Sequence, residues 1–145
     1  MAGVGIVKAE YDSEYQAILD ALSKASAPDL LKIAMSAGGE LDYITHKAFE
    51  KEQDPVTGEK WESLKRPNKS GKILHGKPAH LKRSLIWEAF PDGSVIYGSN
   101  VIYARRHQKG DEDANIPPRP YLGVPRDFDR QFLNDPKILE ILGLG

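Results

Sequence analysis

PDLLKIAMSAGGELDYITHKAFEKEQ, Pro28 to Gln53, decides the fold. Leu31, Ala34, Gly38, Leu41, Thr45 and Ala48 recur at helical spacing, and Leu30, Ile33, Ala37 and Ile44 widen the stripe. Apolar residues at i, i+3, i+4 and i+7 mark a helix with one buried face. Pro28 and Asp29 suit its first turn, where a missing N–H costs nothing and a carboxylate meets the positive end of the dipole. Unbroken, it is about 26 residues and roughly 39 Å long. Gly38-Gly39 interrupts it at a propensity cost of about 2 kcal/mol for the pair. Either the helix kinks there, or another element comes close to the bare backbone.

Upstream, Ser13 and Gln16 have capping-box spacing, and Tyr15, Ile18, Leu19 and Leu22 form an amphipathic stripe, so a helix is expected over 12–24. Ala25 to Pro28 is the break. Downstream, Asp54-Pro55 stops the long helix, because the residue before a proline avoids the α region. Asp54-Pro55-Val56-Thr57-Gly58 reads as a tight turn, and Trp61 after it as a lid on the core. Residues 65–80, KRPNKSGKILHGKPAH, read as a mobile loop with only Ile73-Leu74 apolar. A helical turn from Leu81 then passes into a hairpin over 84–98, closed by Pro91-Asp92-Gly93. Pro125 opens a short helix carrying Phe128 and Phe132; Asp135 caps and Pro136 starts a last one over 137–142, ended by Gly143. The expected class is α+β: long N-terminal helices packed on a small antiparallel β-sheet, with extended loops and short C-terminal helices, in one domain over 1–145.

Between hairpin and tail lies YARRHQKGDEDANIPPRPYLG, Tyr103 to Gly123. Tyr103 and His107 would share a face in a helical turn, with Tyr103 packed down and His107 and Gln108 bonding loop backbone. Gly110 to Asn115 reads as a mobile acidic loop. Ile116 to Gly123 cannot be helix, since its three prolines fix φ and remove donors; it is extended, with Arg119 and Tyr121 held out. A rigid extended run bearing a cation and an aromatic is a docking element, so Tyr103, His107, Gln108, Arg119, Pro120 and Tyr121 are the expected partner- or subunit-facing residues.

The 145 residues, 40% hydrophobic, fit a single modest core, and 20 basic against 21 acidic residues argue against a generally DNA-coating or membrane-coating protein. The absence of cysteine excludes disulfides and thiolate metal sites. Neither a signal peptide nor a membrane span is legible. The one charge asymmetry is 60–83, with eight basic residues against Glu62. Lys65, Arg66, Lys69, Lys72 and Lys77 there either face DNA or an acidic partner, or are a solvated loop. No pair among His46, His75, His80 and His107 has zinc-helix spacing, and no nucleophile motif, P-loop or dinucleotide fingerprint occurs. His107 with Asp111, Glu112 and Asp113 could hold a divalent ion in a metal-dependent nuclease, but carboxylates crowded in a loop are more often solvated. No catalytic residue, metal ligand or cofactor is therefore expected.

The ordered combination of Asp54-Pro55-Val56-Thr57-Gly58-Glu59-Lys60-Trp61, Leu81-Lys82-Arg83-Ser84-Leu85, Tyr103-Ala104 with His107-Gln108, and Pro118-Arg119-Pro120-Tyr121-Leu122-Gly123 resembles the Mu-like phage virion morphogenesis proteins over about residues 10–135. The resemblance implies a non-enzymatic structural protein of a tailed phage or prophage, acting in tail completion and head–tail joining. It implies a ring of identical subunits at the neck or head-proximal tail end, assembled in the host cytoplasm. Expected neighbours are connector or neck proteins and the tail tube or tail terminator, with DNA nearby and no membrane. Two departures, Lys77-Pro78-Ala79-His80 and the longer acidic loop 110–115, fall where a partner would be touched, so they bear on partner identity more than on fold.

Overall fold

The computed structural model describes residues 13–66, 73–74 and 80–145. Helix α1 spans Ser13–Ser23 and α2 spans Ala27–Lys51; a single turn, α3, covers His80–Arg83. Strands β1 (Leu85–Ala89) and β2 (Val95–Ser99) follow, then α4 (Ala104–Lys109), α5 (Phe128–Leu133) and α6 (Pro136–Ile141). The fold is α+β, as expected.

Helix α2 is the spine. Ser26 caps it by accepting from the Asp29 N–H, and Pro28 lies in the first turn. It runs through Gly38-Gly39 without a break, so the second explanation of the glycine pair holds: a strand residue comes close. A Cβ on Gly38 would fall inside the Trp87 indole, whereas one on Gly39 would meet nothing within 4 Å. The helix ends before Asp54-Pro55 rather than at it. Glu52 takes a left-handed conformation, φ 55°, and its N–H bonds back to Ala48.

The hairpin lies across this helix. Its register pairs Leu85 with Ser99, Trp87 with Tyr97 and Ala89 with Val95, and the Asp92-Gly93 turn closes it with Gly93 at φ 90°. Trp87 rests on Gly38, and the Tyr97 hydroxyl donates to Asp42 at 2.9 Å beside buried Thr45. Burial is the main reason that the Tyr97 phenol is pushed far above its ordinary range; Asp42 adds to the effect and Thr45 opposes it. The next residues along, Ile86, Glu88 and Ile96, face outward and are exposed. A lone two-stranded hairpin is marginal in water, so its packing on α2 is what stabilises it.

Two apolar clusters lie along α2. Near its start, Ile33 packs with Tyr15 and Ile18 of α1 and with Leu133 and Ile138 from the tail. The expected stripe thus appears, though Gln16 bonds Asp20 rather than closing a capping box among the described residues. The tail is as the sequence indicates: the Asp135 side chain accepts from the Lys137 N–H at 2.8 Å, and Pro136 begins α6. Near the other end of α2, Phe49 packs with Trp61, Leu74, Leu81, Ala104 and Tyr121. That second cluster is where the sequence blocks that carry the resemblance meet.

Candidate functional site

Residues 54–61 form a closed turn. The Asp54 carboxylate accepts from the Val56 and Thr57 N–H groups at 2.7 and 3.3 Å, and Gly58 takes φ 77°. The Asp54 N–H donates to Glu59 O, and Gly58 N–H to Asp54 O. The turn delivers Trp61 onto Phe49, edge to face at a centroid distance of 5.6 Å. Its indole N–H donates to the Pro120 carbonyl at 2.6 Å. A bidentate-like grip comes from Gln108 on α4. Its Oε1 accepts from the N–H groups of Tyr121 and Leu122, both at 3.0 Å, and its Nε2 donates to the Leu122 carbonyl at 2.9 Å. Gln108 therefore replaces a strand partner for the extended run, whose prolines leave few N–H groups to pair. The Arg119 N–H donates to His107 O at 2.7 Å, and the Tyr121 hydroxyl donates to Ala104 O at 3.1 Å. Gly123 completes the contact, since a Cβ there would press on Val56 of the first turn.

Three blocks, with contacts 13 to 59 residues apart in sequence, thus hold one another backbone to side chain. This corrects the expectation that Arg119 and Tyr121 are held out from the extended run. Tyr121 is 1% exposed and Arg119 7%. Both turn inward because each has a backbone acceptor to satisfy inside: Ala104 O for the phenol, and Glu62 O and Ser63 O for the guanidinium, at 2.9 and 3.3 Å. Burial also pushes the Tyr121 phenol up. Pro120 and Gln108 are half-buried in the same joint.

Tyr103 and His107 do share a face, their rings edge to face at 5.7 Å. The Tyr103 hydroxyl shares a 2.8 Å hydrogen bond with His80 Nδ1. His107 Nδ1 is buried, without a hydrogen-bond partner among the described residues. Burial holds the His107 imidazole below the usual histidine range, and the nearby Arg119 guanidinium adds to that. The acidic loop is a closed turn: Asp111 and Ile116 exchange backbone hydrogen bonds at 2.8 and 2.9 Å, and the Asp111 carboxylate pairs with Arg106 at 3.3 Å. No group of three or more His, Asp or Glu residues able to hold a metal occurs among the described residues. Lys65 and Arg66 are exposed; Lys69, Lys72 and Lys77 lie outside the described residues. Ile73 and Leu74 are anchored, Leu74 in the core and the Ile73 N–H on the Glu52 carboxylate at 2.7 Å. No described helix is long and apolar enough to cross a membrane.

Sequence reasoning missed Glu52, which ends the spine and holds Ile73, and the Tyr97–Asp42 pair. A non-glycine left-handed residue leaves no mark in the sequence, and neither does a contact 55 residues apart.

Fold and joint together define a small α+β architectural module whose signature residues are spent on fastening backbone to backbone. The chain belongs to the phage virion morphogenesis family, which matches residues 11–138. It is similar to the putative capsid assembly protein G of Escherichia phage Mu, 29% identical over 133 residues covering 82% of this chain and 83% of that protein. No solved structure matches the chain.

Proposed function

We propose that this chain is a structural subunit that completes the tail and joins it to the head, acting as one member of a ring at the neck or head-proximal tail end rather than as an enzyme. The observation that carries the reading is the joint itself. Trp61, Gln108, Arg119 and Tyr121, which lie in the sequence blocks that carry the resemblance, are used to make a stiff body. A stiff body suits a part that must present fixed surfaces to neighbours. Family membership and a relative named for capsid assembly in phage Mu support a structural role in particle assembly.

A closed ring needs two different surfaces per subunit, because its contacts are heterologous. Exposed apolar side chains supply candidates on separate elements: Met35 and Tyr43 on α2, Ile86 and Ile96 on the outer hairpin face, and Ile102 beside α4. The 103–123 stretch enters as the frame behind Ile102 and Val124 rather than through Tyr121, and the basic residues Lys65, Arg66, Lys69, Lys72 and Lys77 would face DNA or an acidic neighbour. The test is a phage or prophage in which the gene is disrupted. Electron microscopy of the lysate should show filled heads and tails unjoined, and added purified protein should join them. Joined, infective particles without the protein would end the proposal.

A further inference from the structure

Arg119 is a buried cation whose charge no carboxylate answers among the described residues. It is 7% exposed, and its guanidinium bonds are to the Glu62 and Ser63 carbonyls, through Nε and one terminal nitrogen. Arginine carries five N–H donors in a planar fork, so donors remain. A buried charge is ordinarily paired, because carbonyl dipoles recover only part of what water supplied. Beside Arg119 opens a cleft of about 220 Å³, lined also by Glu62, Lys65, His107, Asn115 and Pro117. His107 lines the same cleft, and its buried Nδ1 has no hydrogen-bond partner among the described residues. Two cations against the single carboxylate of Glu62, around a cavity of side-chain size, suit one anion.

We propose that this cleft receives a single carboxylate, a glutamate or aspartate side chain presented by a protein partner during assembly. The carboxylate would meet the free face of the Arg119 fork, with Lys65 at the rim as a second attraction. A carboxylate and a guanidinium match in geometry as well as in charge. A nucleic-acid backbone is the poorer occupant. Arg119 is recessed, so a nucleic-acid backbone lying along the surface does not reach its fork, whereas one inserted side chain does. The inference rests on the assembly reading only in taking the partner to be a protein.

The test is a titration of the full-length, nitrogen-15-labelled protein, following the Arg119 Nε–H and the His107 ring by NMR. The probe is a capped five-residue peptide carrying one glutamate; its glutamine twin, inorganic phosphate and a short DNA duplex are the controls. The glutamate peptide should shift both signals saturably, and the glutamine twin should not. Lys65→Glu, an exposed change that leaves the fold intact, should weaken the binding about tenfold, the factor for one charge-assisted hydrogen bond. No saturable shift, equal shifts from the twin, or tighter binding of phosphate or duplex would overturn the proposal. Any of those results leaves the head–tail reading standing, since that is decided on lysates.

Discussion

Two adjacent glycines in α2 make opposite predictions. At Gly38 a methyl group would occupy the space of the Trp87 ring, and an indole is rigid, so it must lift off the helix as a unit. If the ring forfeits about 100 Å² of buried apolar surface, the loss is about 2.5 kcal/mol. Alanine returns about 1 kcal/mol of helix propensity. Gly38→Ala should therefore destabilise by about 1.5 kcal/mol. For a chain of this size, at 2–4 °C per kcal/mol, that lowers the melting temperature by about 3–6 °C. At Gly39 no atom lies within 4 Å of the new methyl, so Gly39→Ala should stabilise by about 1 kcal/mol. Urea unfolding of the two variants and the parent measures both. In Gly38→Ala with Trp87→Leu, the Gly38 penalty should largely vanish relative to Trp87→Leu alone. A neutral or stabilising Gly38→Ala would refute the idea that the glycine is there to seat the indole.

Gln108→Ala should cost about 2–4 kcal/mol, because it strands the Tyr121 and Leu122 N–H groups and the Leu122 carbonyl in a half-buried joint; denaturant melts report it. Trp61→Phe keeps the ring packing on Phe49 but loses the bond to Pro120 O, and should cost about 1 kcal/mol or somewhat more by the same assay. His107 gives a pH dependence. Its folded pKa lies below the unfolded value of about 6.5, so the unfolded chain takes the proton first as pH falls. Its contribution is complete above that value and is lost on acidification toward the folded pKa. The stability gap between parent and His107→Gln should accordingly narrow from pH 7.5 to about pH 5; a gap that widens contradicts the assignment. Ile86→Thr with Ile96→Thr should leave stability within about 0.5 kcal/mol, since both side chains are exposed and threonine suits a strand. The same pair should reduce the mass of any self-assembled species seen by light scattering.

Most of the elements were legible because each carries a local cause. The α2 stripe, Pro28 at its start, the Pro91-Asp92-Gly93 turn and Asp135-Pro136 all act within a few residues. The joint was half legible. Proline arithmetic shows that 116–123 is extended, but not that it is threaded between α4 and the 54–61 turn. Arg119 and Tyr121 were expected outward because their polar ends look suited to docking, yet backbone carbonyls 17 to 57 residues away offered better partners. Such acceptors exist at every residue, so the sequence cannot single out Ala104 O or Glu62 O. The glycine pair posed a question with two answers, and only the placement of the hairpin chose between them.

The central claim is a place in the particle. Labelling intact virions with gold-tagged antibody against the chain, and imaging them by electron microscopy, tests it most directly. The account predicts label confined to the junction between head and tail. Virions that carry no label, or carry it over the capsid faces or along the tail shaft, would contradict it.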